Sequence, residues 1–152
     1  MYRNDGFREL DRDESLRLLA EAPIGRVVFT QQALPAVLPV TFRLEPDGTV
    51  LLRTSAASEL VRAVEGAVVA FEADHVDAVR RTGWSVIVTG GASVVTDPDE
   101  VRRLRAAGPR SWVPSPREAF VRIRPELVTG REILAVERSA PRTGRRSAPR
   151  TG

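Results

Sequence analysis

Apolar and polar positions along the chain follow two rhythms. Near the N-terminus, Leu16, Leu19 and Ala20 recur at helical spacing behind Asp11 and Glu14, which stand at the capping-box interval, and Pro23 ends the run. This predicts a short packing helix. From residue 24 the pattern turns extended: IGRVVFTQ (24–31) is β-branched and aromatic, and a turn near Gln32 leads into LPAVLPVTFRLEP, a strand interrupted by Pro35 and Pro39. Both prolines lack a backbone donor, which suits an edge strand or one that opens toward a ligand. The turn PDG (46–48) joins it to TVLLRTS in a hairpin. A helix of about two turns from Ser58 follows, and then GAVVAFEAD (66–74), nearly all apolar, reads as a fully buried strand.

The longest extended run is GWSVIVTGGASVVTD (83–97). Gly90 and Gly91 in its middle predict a bulge or bend that lets one strand serve two parts of a curved sheet. Asp97 and Pro98 start a helix through DPDEVRRLRAAG with Val101 and Leu104 facing inward, and Gly108-Pro109 ends it. After the irregular PRSWVPSPRE, the strand AFVRIRPELV places arginines between apolar residues and predicts one wet face. About six strands and three short helices, without a repeated βαβ unit, predict a mainly β fold: an antiparallel barrel with helical decoration.

Length changes the picture little, since 152 residues fit one domain. Charge changes it more. All 23 basic residues are arginine, and five of them (138, 142, 145, 146 and 150) fall in a tail where RSAPRTG occurs twice around Arg145. Residues 1–137 hold 18 basic and 20 acidic side chains, a net of −2. The folded part is therefore not basic, which argues against nucleic-acid binding. The division expected is a folded domain over 1–137 and a disordered Arg/Pro/Gly/Ser-rich tail over 138–152. No apolar run is long enough for a membrane span, and the charged start MYRNDGFREL does not read as a signal peptide, so a cytoplasmic protein without membrane contact is expected. With no cysteine and a single histidine, His75, metal sites and thiolate chemistry are not expected.

Standard catalytic constellations are missing. The chain has no phosphate-binding G-x-x-x-x-G-K-[ST], no G-x-G-x-x-G after a strand and no G-x-S-x-G. Ser85 has only His75 as a candidate base, and Asp97 with Asp99 stand where carboxylates cap a helix. What remains is the strand-to-helix junction LLRTSAASEL. There Arg53, Thr54, Ser55 and Ser58 offer a cation, hydroxyls and free N–H groups to an anion such as a phosphate monoester, although Ser55 or Ser58 followed by an acid is also ordinary helix capping.

Taken in order, IGRVVFT, LPAVLPVTF, VLLRTSAASEL, AVVAFEAD, GWSVIVTGGASVV and VRIRPELVTGREI resemble the FMN-binding split-barrel family related to pyridoxamine 5′-phosphate oxidase, over roughly residues 10–134. The resemblance implies an antiparallel split barrel, a homodimer formed through the barrels, and FMN in a groove between the subunits. By similarity, Pro39, Val40, Thr41 and Phe42 run beside the isoalloxazine, Arg53, Thr54, Ser55 and Ser58 take the ribityl phosphate, and Trp84, Ser85 and Arg131 also contact the flavin. Two positions depart from the family pattern. Glu59 stands beside the phosphate residues where many relatives carry lysine, and GREILAV lacks the Arg-x-His that recognises vitamin B6 substrates, which argues against pyridoxamine phosphate oxidation. The resemblance thus implies an FMN-dependent oxidoreductase acting on an unassigned small molecule. The alternative is a non-catalytic dimeric module of the same fold that has lost FMN or carries a deazaflavin or haem, for which His75 could serve as an axial ligand.

Overall fold

The computed structural model describes residues 6–113 and 117–135. The duplicated tail at 138–152 lies outside them. In chain order the elements are β1 (Phe7–Leu10), α1 (Arg12–Glu21), β2 (Gly25–Gln31), β3 (Leu34–Leu44), β4 (Val50–Ser55), α2 (Glu59–Val64), β5 (Val68–Asp77), β6 (Thr82–Val94), α3 (Pro98–Ala107), β7 (Glu118–Ile123) and β8 (Leu127–Ile133). All strand pairs are antiparallel, in the order β1-β8-β6-β5-β2-β3-β4-β7, and β7 returns to β6. Six strands thereby close into a barrel, with β8 and β1 as a flap on β6. The mainly β barrel expected from the hydrophobic pattern is what forms.

Local signals act where the sequence places them. Asp11 caps α1, with its carboxylate accepting from the Glu14 N–H at 2.8 Å and the Glu14 side chain accepting from the Asp11 N–H at 3.1 Å. Asp97 caps α3, Pro98 opens it and Gly108 follows its end. Ser58 caps α2, which is only six residues long and drives Leu60 and Val64 into the barrel. Gln32 and Ala33 both take positive φ in the two-residue turn between β2 and β3, the backbone twist that a tight hairpin requires.

The bend expected at Gly90-Gly91 is the point where β6 changes partner. Residues Gly83–Thr89 pair with β8, whereas Ala92–Val94 pair with β7. A Cβ on Gly90 would stand 1.8 Å from the Arg124 carbonyl oxygen, so only glycine lets the two backbones approach this closely.

Three expectations need revision. Strands β1 and β8 add to the six predicted; both are short, and their inner face is covered by α1, where Gly130 lies against Ser15. The GAVVAFEAD strand is buried on one face only: Val69, Phe71 and Ala73 enter the core, while Val68 is 70% exposed, because nothing among the described residues covers the outer side of that sheet. Conversely, the face of β7 expected to be wet is covered by α3. Phe120 is fully buried there with Leu51 and Leu104, and Arg122 ion-pairs with Glu45 at 2.6 Å and Glu100 at 2.5 Å.

Candidate functional site

The site arises from the way β3 changes neighbours. Its residues Leu34–Val40 pair with β2, and Thr41–Leu44 pair with β4. The last β3–β4 pair is Thr41 with Arg53; beyond it, Thr54 and Ser55 pair with β7 alone. The sheet therefore splits between Leu38–Val40 on one side and Thr54–Ser55 on the other. Pro39 and Pro35 lie in this one-sided stretch, where a missing donor is tolerated.

A cleft of about 510 Å³ fills the split. Its walls are mostly apolar, from Ile24, Leu38, Pro39, Val40, Trp112 and Val113, and its polar groups are Thr41, Arg53, Thr54, Ser55, Ser58, Ser111 and Glu118, of which Arg53, Ser55 and Glu118 share one face of the β4–β7 pair. That size and composition match a small-molecule site with a few orienting groups. Thus Pro39, Val40, Thr41, Arg53, Thr54, Ser55 and Ser58 meet in one place. Sequence reasoning missed Trp112, Val113 and Glu118. The signal available for the first two was a tryptophan in a proline- and serine-rich loop, exposed apolar surface that packing does not explain.

Arg53 is held on three sides. Its Nη1 donates to the Pro109 carbonyl at 2.9 Å, its Nη2 contacts the Glu118 carboxylate, and its guanidinium lies 5.6 Å from the centre of the Phe120 ring. Its buried Nε has no hydrogen-bond partner. Ser58 Oγ accepts from the Val61 N–H at 3.4 Å as the helix cap, and Ser55 Oγ accepts from the Ala57 N–H at 3.3 Å.

The other candidates lie apart from the cleft. Phe42 turns into the core, edge-on to Phe71 with ring centres 4.7 Å apart. Glu59 is exposed and borders a separate hollow with Gln31, Gln32 and Arg62. Ser85 and Arg131 point to the outer sheet face and border a hollow of about 210 Å³, in which the Arg131 guanidinium lies 4.9 Å from the Phe7 ring centre; Trp84, at the edge of the same hollow, alternates to the inner side and packs against the barrel core. His75 is exposed within β5, opposite Trp84. Among the described residues no cluster of three metal-ligating side chains exists, and no helix is long and apolar enough to cross a membrane.

A six-stranded antiparallel barrel with a split between β3 and β4 and a half-apolar cleft in that split defines a split-barrel protein. The chain belongs to the pyridoxamine 5′-phosphate oxidase family, whose model matches residues 11–132. It is 50% identical over 137 residues to an uncharacterised protein of Mycobacterium tuberculosis, covering 86% of this chain and 88% of that one. Its structure is similar to the FAD-binding protein from Mycobacterium smegmatis, with a TM-score of 0.69, 34% identity, and 82% of this chain and 98% of that chain covered. An FAD-binding protein from Mesorhizobium loti shares the fold at 20% identity, with a TM-score of 0.69 over 83% of this chain and 97% of that one.

Proposed function

We propose that this protein is a flavin-binding redox protein that works as a homodimer. The observation that carries the reading is the cleft at the β3–β4 split, where apolar walls meet the polar cluster of Arg53, Ser55 and Glu118 on the β4–β7 pair. A flavin is a flat apolar ring system with a polar edge, joined by a ribityl chain to a phosphate. The ring suits the walls made by Leu38, Val40 and Trp112, the strand edges at the split offer backbone groups to its polar rim, and the phosphate suits Arg53, Thr54, Ser55 and Ser58. The orphaned Arg53 Nε is a buried donor awaiting an acceptor. FMN and FAD share the parts of the molecule this argument uses, and the FAD-binding protein from Mycobacterium smegmatis supports a flavin in general.

When bound, the flavin supplies the electron or hydride exchange. The ionisable groups lining the cleft are Arg53 and Glu118, already paired with each other, so this chain contributes binding, orientation and exclusion of water. The missing Arg-x-His in GREILAV favours a small-molecule substrate other than a vitamin B6 phosphate.

The dimer is supported by the uncovered outer sheet face. Val37, Val68, Val76, Ile87, Leu127 and Ile133 are exposed across it, a wide apolar surface for a monomer to leave in water. Ser85 and Arg131 line a hollow on the same face, and in a dimer they would reach the flavin from the partner subunit.

Titration with FMN and with FAD, followed by absorbance and by quenching of flavin fluorescence, tests the reading. Saturable binding of either at micromolar concentration is expected. A protein that is colourless as purified and leaves both spectra unchanged would sink it.

A further inference from the structure

We infer that Glu118 sets the cleft's preference between phosphorylated and unphosphorylated ligands, by competing with a ligand's phosphate for Arg53. On β4 and β7, Arg53 stands opposite Phe120 and Ser55 opposite Glu118, so all four side chains share one face of the ladder. That register brings the Glu118 carboxylate onto Arg53, 65 positions earlier in the chain. The two side chains are only 13% and 14% exposed, so water screens the pair little. Phe120 beneath the guanidinium and the Pro109 carbonyl at Nη1 fix its position.

An entering phosphate therefore meets a cation whose charge is already balanced. It must either displace the Glu118 carboxylate from Nη2 or approach through Nε with that carboxylate close by. Both routes lower affinity for the anion, and neither affects a neutral ring bound against Leu38, Val40 and Trp112. Glu59 cannot play this part, because it is exposed and borders a different hollow.

The inference rests on the flavin reading only for the choice of ring. The experiment compares the wild-type protein with Glu118→Gln, which keeps an acceptor for Arg53 but removes the charge, and with Glu59→Lys as a control. Riboflavin, FMN and inorganic pyrophosphate are titrated into each. Expected is FMN binding tighter by about tenfold or more in Glu118→Gln, with riboflavin within about twofold, pyrophosphate following FMN, and Glu59→Lys close to wild type. Equal shifts for FMN and riboflavin, or weaker FMN binding in Glu118→Gln, would overturn it by showing that Glu118 only positions Arg53. Should no flavin bind either protein while pyrophosphate tightens in Glu118→Gln, the competition stands and the flavin reading falls. If pyrophosphate is also indifferent, both fall. Glu118→Thr, a β-branched residue suited to the strand, repeats the test if Glu118→Gln unfolds at a lower temperature than wild type.

Discussion

Glu72 stands on the outward side of β5, with Arg26 of β2 and Ile87 of β6 as its register partners. One guanidinium serves two acids there: Arg26 Nη1 lies 3.1 Å from Glu72 Oε2 and 3.3 Å from Asp74 Oδ2. Burial pushes the Glu72 carboxyl up to about 7, a hydrogen bond with Asp74 and its charge push the same way, and Arg26 opposes them. The folded protein thus holds this proton more tightly than the unfolded chain does. The resulting stability is fully present below the ordinary value of 4.5 and is lost as pH rises through about 7. Thermal unfolding recorded across that window is expected to show this fall, and Glu72→Gln is expected to flatten it; an equally steep fall in Glu72→Gln would assign the dependence to another group.

Residue-scale features divide into those visible along the chain and those that are not. Alternation on a strand dictates that Thr41 and Phe42 point to opposite sides. Which of them enters the core depends on Phe71, whose ring receives Phe42 edge-on because Gly25 has no Cβ to block it: a Cβ there would stand 1.9 Å from Phe71 Cζ. Likewise, Arg53 was recognisable as a cation near hydroxyls, but the acid that meets it is Glu118 across a strand pair. Glu59, six positions on, turns to solvent.

At the scale of elements, β7 and α3 depend on each other. Arg122 joins three of them, bonding to Glu45 beyond the end of β3 and to Glu100 in the first turn of α3 while belonging to β7 itself. The hydrogen bonds to Glu45, opposed by burial and aided by Glu100, raise its already high pKa, so the cation persists at every working pH. Arg122→Ala is expected to cost about 1–3 kcal/mol by removing the cation that serves the Glu45 carboxylate and by leaving Glu100 with Arg103 alone. Chemical denaturation measures this, and a change below about 0.5 kcal/mol would show the network to be no more than a surface ion pair. The alternation in FVRIR marked a strand, yet a wet face was the wrong inference from it. An arginine satisfied by two acids can lie beneath a helix, and neither partner is near it in sequence.

For the whole molecule the open question is what covers the outer sheet. Val68 and Val76 are each 70% exposed in a strand whose opposite face buries Val69, Phe71 and Ala73. Val76→Asp is expected to lower the mass in sedimentation from about twice 16.7 kDa to that of one chain. It should leave the fold of each chain intact, since the side chain touches no core cluster. Weakened flavin binding in the same variant would place part of the flavin site in the partner subunit. A wild-type protein that sediments as a single chain would remove the dimer from the proposal.

The caps of α1 and α3, the turn near Gln32, the succession of β2 to β7 along the chain and the bend at Gly90-Gly91 were all determined by the sequence itself. Each rests on hydrogen bonds, dihedral limits or side-chain periodicity that operate within a few residues. The ordered strand runs were also enough to show the family resemblance. The cleft was decided only by tertiary structure. It exists because β3 leaves β2 for β4 at Val40–Thr41, and because β7, arriving from the far end of the chain, sets Glu118 against Arg53. Pairing between distant strands depends on how the barrel closes, and no short stretch of sequence encodes that closure.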